Sequence, residues 1–111
     1  MASDVVPATV RRFVETHFDT VTAVEVLLLL RRESPRPLSC DAVAGRLRID
    51  PDQTEGILTG LDRRGLVRRE GPTFEYDPQT DEAAGAVETL VDVYSRYRYR
   101  IIAIIFAGSR S

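Results

Sequence analysis

Six polar side chains in the middle of the chain have the types and spacing to bind a polyanion. They are Gln53, Thr59, Arg63, Arg64, Arg68 and Arg69. A guanidinium group holds a phosphate through two parallel hydrogen bonds, and amide and hydroxyl side chains can hydrogen-bond the edges of bases. The chemistry that these residues could do is therefore the binding of phosphates and bases.

Carboxylates stand among these residues and oppose that interpretation. Asp52 and Glu55 precede the first arginine, and Glu70, Glu75 and Asp77 follow the last one. Phosphates repel carboxylates, and the net charge of −2 is unlike that of strongly basic nucleic-acid binders. Two alternatives stay open: the arginines form a phosphate-binding ridge, or they belong to a salt-bridged, solvated surface.

Side chains typical of catalysis or metal binding are sparse. The single histidine, His17, and the single cysteine, Cys40, have no partners at metal-ligand spacing, and no catalytic triad pattern appears. We therefore expect a protein that is not an enzyme and needs no metal and no cofactor. Cys40 stands near a predicted helix start, which could lower its thiol pKa and permit redox sensing; otherwise it is a small, half-buried side chain.

The lone cysteine allows no intrachain disulfide, which suits the cytosol. The first residues lack the charge and apolar run of a signal peptide. The longest apolar runs, Val26–Leu30 and Ile101–Ala107, fall short of the ~20 residues that span a bilayer. We expect a cytoplasmic protein without a membrane partner.

Apolar residues recur at helical spacing in five segments, which predicts five helices. The segments are about 5–17, 21–32, 39–47, 51–64 and 81–106. Pro7 suits the first turn of the first helix, and Gly108 is expected to stop the last one. Asp50 and Gln53 form a capping box around Pro51, and Gly65 is expected to end that helix in a left-handed turn.

Two short strands follow the fourth helix. Leu66–Arg69 and Thr73–Tyr76 have strand composition, and the three residues between them read as a turn. Only about three residues, 48–50, join the third and fourth helices, which is the spacing of a helix-turn-helix. The sequence thus predicts a mainly α protein with a small β-hairpin.

Two stretches, Leu38–Ile49 and Ile57–Val67, resemble the MarR/ArsR-like winged helix-turn-helix superfamily. The second stretch has the leucine, polar residues, Gly65, Leu66 and Val67 that lead into the wing there. The resemblance implies a winged helix-turn-helix at 21–78. An N-terminal helix in 1–20 and a long C-terminal helix in 79–111 would flank it, as one domain. The resemblance covers about half of the chain and is specific for fold rather than function.

The resemblance implies a dimeric, bacterial-type transcription regulator that binds duplex DNA. Gln53, Thr59 and Arg63 would face the major groove, whereas the three later arginines, Arg64, Arg68 and Arg69, would hold phosphates. The alternative is a winged helix that binds another protein and does not bind DNA directly.

The terminal helices are expected to form a homodimer interface, because the 101–106 stretch is apolar on all sides. The expected interface residues are Val10, Phe13, Val14, Leu90, Tyr94, Tyr97, Ile101, Ile102, Ile105 and Phe106.

Tyrosines and arginines alternate over 94–100, a pattern that could stack on the bases and hold the phosphates of single-stranded nucleic acid. Tyr94 and Tyr97 also fall on the apolar stripe with Ile101, which favours a core or interface role.

Overall fold

The computed structural model describes residues 6–109, and residues 1–5 and 110–111 lie outside the description. The described chain is mainly helical with one three-stranded antiparallel sheet. Its elements are α1 (Ala8–His17), α2 (Val21–Glu33), β1 (Leu38–Ser39), α3 (Cys40–Leu47), α4 (Pro51–Arg63), β2 (Val67–Glu70), β3 (Thr73–Tyr76) and α5 (Asp81–Ser109). They divide into two units: a central unit of residues 22–79, and a terminal unit in which the N-terminal residues to 21 join those from 80 onward.

Capping side chains fix where α3 and α4 begin. The Ser39 hydroxyl accepts a hydrogen bond from the Ala42 amide at 3.0 Å, and the Asp50 carboxylate accepts one from the Gln53 amide at 2.9 Å. Each bond satisfies an amide that the helix leaves unpaired in its first turn. Between the helices, Arg48 adopts a left-handed conformation with φ of 59°. The predicted three-residue turn is therefore confirmed.

The end of α4 is a Schellman motif, as the sequence predicted. Gly65 has φ of 77°, its amide donates to the Asp62 carbonyl, and the Leu66 amide donates to the Leu61 carbonyl. These two bonds satisfy carbonyls that the last helical turn leaves without partners. The helix consequently stops at a defined residue and leads directly into β2.

The sheet has three strands, in the order β1-β3-β2, where the sequence predicted two. In β1, Leu38 and Ser39 pair with Phe74 and Thr73 of β3. The strand expected at Leu66–Arg69 is β2, which begins and ends one residue later, at Val67 and Glu70. A two-residue turn, in which Gly71 takes φ of 59°, therefore replaces the expected three-residue turn.

The core of the central unit consists of side chains that the helical and strand periodicity assigned to the inside. Leu58, Leu61, Leu66 and Phe74 are almost completely buried. The α4 helix contacts both α3 and β2. This core holds the exposed side of α4 and the β2-β3 hairpin in a fixed relation.

One ion pair links two helices of the central unit. The Arg46 guanidinium lies 2.9 Å from Glu33 of α2, and this hydrogen bond holds the pKa of the Glu33 carboxyl below its usual value. The pair therefore joins the end of α2 to the last turn of α3.

The terminal unit pairs α1 with α5. Val10 and Val14 of α1 and Ile101 of α5 are fully buried. Two expectations were wrong: α1 starts at Ala8, after Pro7, and α5 continues through Gly108 to Ser109. A third correction concerns Tyr97, where φ of −136° and ψ of 48° interrupt the helix that the sequence predicted to be continuous. Across residues 6–109, no helix is long and apolar enough to cross a membrane.

Candidate functional site

Arg68 on β2 is surrounded by carboxylates of its own hairpin. Its guanidinium nitrogens lie 3.2 Å from Glu70, 3.2 Å from Glu75 and 3.3 Å from Asp77. Glu75 is its direct cross-strand neighbour. Opposite charges facing each other on adjacent strands stabilise the pairing. A phosphate that approached Arg68 would meet three negative groups at the same place.

Arg69, the next residue, is engaged by α4. Its guanidinium donates to the Glu55 carboxylate and, at 3.4 Å, to the Thr59 hydroxyl. The same group lies 4.6 Å from the centre of the Phe74 ring. Because these contacts join the strand to the helix, Arg69 and Thr59 belong to one hydrogen-bonded cluster rather than to two separate binding positions.

The other candidate residues of α4 remain at the surface. Gln53, Arg63 and Arg64 are exposed, and within the described part of the chain Arg63 has no ion-pair partner. Gln53 lies in the first turn, whereas Arg63 and Arg64 lie at the far end, more than two helical turns away. The structure therefore does not bring the six candidate residues together as one basic surface.

Three carboxylates gather around Cys40 at the starts of α3 and α4, and we call Asp41, Asp52 and Glu55 the acidic face. Burial raises the pKa of the Cys40 thiol, and the negative charges of these three carboxylates raise it further. The thiol donates to the Pro51 carbonyl at 3.3 Å. The expectation that a helix start could lower this pKa was wrong, because burial and the neighbouring carboxylates both raise it.

The sequence offered the carboxylates around the arginines as salt-bridge partners, but it did not say which carboxylate pairs with which arginine. A two-residue turn at Gly71 and Pro72 fixes the register that places Glu75 opposite Arg68, so this pair could have been found. No local signal predicts the contact between Glu55 and Arg69, which are 14 residues apart. The salt-bridged alternative therefore describes both arginines of β2.

Six of the ten expected interface residues are buried within the chain itself. They are Val10, Phe13, Val14, Leu90, Ile101 and Ile105. Their side chains form core rather than surface, so they are not available to a second copy. Four remain partly or fully accessible: Tyr94, Tyr97, Ile102 and Phe106. The homodimer stays a prediction, and it now depends on these four side chains.

Comparisons with known proteins identify no relative. No model of a protein family matches the chain, and neither does any curated protein or solved structure. Among residues 6–109, no group of three or more His, Cys, Asp and Glu side chains is arranged to hold a metal ion.

Proposed function

We propose that this chain is a winged helix-turn-helix module that binds another protein through the acidic face. The observation that carries the proposal is that carboxylates pair with both arginines of β2. Arg68 is engaged by three carboxylates and Arg69 by Glu55. In a DNA-binding winged helix these positions would supply phosphate contacts, which provide most of the affinity.

The charge around α4 supports the same conclusion. From Asp41 to Asp77 the chain has eight carboxylates and six arginines, a formal charge of −2. Asp52 and Glu55 are exposed on the first turns of α4, the part that would approach base edges. A negative surface there favours a partner segment rich in lysine and arginine, since complementary potentials steer association and choose partners.

Site-specific photocrosslinking in cells that naturally make the protein tests this proposal. The crosslinking amino acid replaces exposed Gln53, beside the acidic face, and a matched control replaces exposed Thr89 on α5. We expect an adduct at Gln53 with a lysine- and arginine-rich segment of one protein. Asp52→Lys should reduce its yield, whereas Glu15→Lys on α1 should not. Adducts to nucleic acid, or equal yields at the two positions, would contradict the proposal.

A second candidate, a DNA-binding transcription regulator that acts as a dimer, is favoured by a different observation. Arg48 in the turn and Arg63 on α4 are exposed, and neither has an ion-pair partner among residues 6–109. With Gln53 they could supply a few contacts to a duplex. This candidate predicts duplex binding that weakens steeply with salt and is lost in Arg63→Gln.

A further inference from the structure

The segment Ser95–Arg100 of α5 is exposed at every one of its six positions. A helix that packs against a neighbour buries part of each turn. Here Tyr97 is 42% exposed and Tyr99 is 82% exposed. The sequence periodicity had favoured a core or interface role for Tyr97, and its exposure removes the core alternative. The described part of the chain leaves this whole segment uncovered.

The segment is also strongly cationic. Arg96, Arg98 and Arg100 alternate with the tyrosines, and residues 93–111 contain no Asp or Glu. Arg96 lies 3.2 Å from Asp92, but both side chains are more than 60% exposed. A single pair between two side chains this exposed is worth little, in contrast to Arg68, which has three carboxylate partners. Within residues 6–109, Arg100 has no ion-pair partner.

We propose that Ser95–Arg100 binds single-stranded nucleic acid. Exposed aromatic rings stack on bases of any sequence, and neighbouring guanidinium groups hold the phosphates between those bases. The Arg98 guanidinium, 5.9 Å from the Tyr94 ring, already shows the ring and cation geometry that such a surface uses. The segment belongs to the terminal unit and the acidic face belongs to the central unit, and this proposal does not depend on the function proposed above.

The distribution of the side chains favours a strand over other anionic partners. Rings and charges stand at consecutive positions on both sides of the interruption at Tyr97, and all six positions are exposed, so the segment presents them in several directions. A flexible strand can follow them, whereas a flat lipid surface meets only one side. Two copies that met at this segment about a two-fold axis would bring arginines against arginines. An acidic peptide would pair with the arginines and leave Tyr99 without a stacking partner.

The test is fluorescence anisotropy of labelled oligodeoxythymidylate titrated with the full chain after co-purified nucleic acid has been removed. Tyr99→Ala should weaken binding about tenfold, while Tyr99→Phe retains the ring and the affinity. Arg100→Gln should reduce the slope of log affinity against log salt by about 0.7. Arg12→Gln, at an exposed position of α1, removes the same charge and should change neither quantity.

Four results would overturn the proposal. They are absence of strand binding at low salt, unchanged affinity in Tyr99→Ala, tighter binding to a duplex of equal length, and equally Arg100-dependent binding to phosphatidylglycerol vesicles. Circular dichroism of each variant establishes that the helices remain folded. A duplex preference that also disappears in Arg63→Gln would instead support the DNA-binding candidate.

Discussion

Asp50→Ala removes the cap that begins α4 and leaves the rest of the helix in place. The mutant loses the 2.9 Å hydrogen bond from the Gln53 amide to the carboxylate. An N-cap of this kind contributes about 1 kcal/mol, so the free energy of unfolding should fall by about that amount. For a chain of 111 residues, a change of that size corresponds to a lower melting temperature by about 4 °C.

Urea and thermal unfolding followed by far-UV circular dichroism measure this change. Asp50→Asn is the matched control, because it retains an oxygen that accepts the bond and removes only the charge. We expect the asparagine variant to lose a few tenths of a kcal/mol at most. Equal stability of Asp50→Ala and the native chain would refute the assignment of Asp50 as the cap, and equal losses in both variants would show that charge alone matters.

Three further predictions concern the central unit. Arg48→Gly should raise the free energy of unfolding by about 0.5 kcal/mol, because glycine adopts the left-handed conformation without strain; a loss in urea unfolding would contradict this. Gly65→Ala should lower it by about 1–2 kcal/mol, since φ is 77° there; an unchanged urea midpoint would contradict the motif. Iodoacetamide should alkylate folded Cys40 only at higher pH than the unfolded thiol, whose ordinary pKa is 9.0, and Glu55→Gln should lower that pH. Since the unfolded thiol ionises first, the free energy of unfolding should fall as pH rises above the ordinary thiol pKa of 9.0. Identical alkylation profiles for the folded and unfolded protein would exclude the raised pKa.

Local signals in the sequence were sufficient to locate the central helices. Asp50 and Pro51 mark the start of α4, and Gly65 marks its end, because capping depends on residues only a few positions apart. The strand β1 could not be found in this way. It contains only Leu38 and Ser39, and it exists because β3, more than 30 residues later, offers an edge to pair with.

The candidate site was predictable in its composition but not in its contacts. The excess of carboxylates near α4 is visible in the sequence, and it already opposed DNA binding. The contact of Arg69 with Glu55 requires α4 and β2 to pack together, which no local pattern reveals. Likewise, the periodicity that placed Tyr97 with Ile101 continues unchanged through the interruption of α5, so it could not show that Tyr97 is exposed.

The most direct test of the central claim is the affinity of the native chain for duplex DNA selected from a random-sequence pool. The acidic face and the engaged arginines predict that no sequence is enriched and that Kd stays weaker than about 10⁻⁶ M at physiological salt. An enriched duplex bound at about 10⁻⁸ M or tighter, with the affinity lost in Arg63→Gln, would contradict the protein-binding proposal.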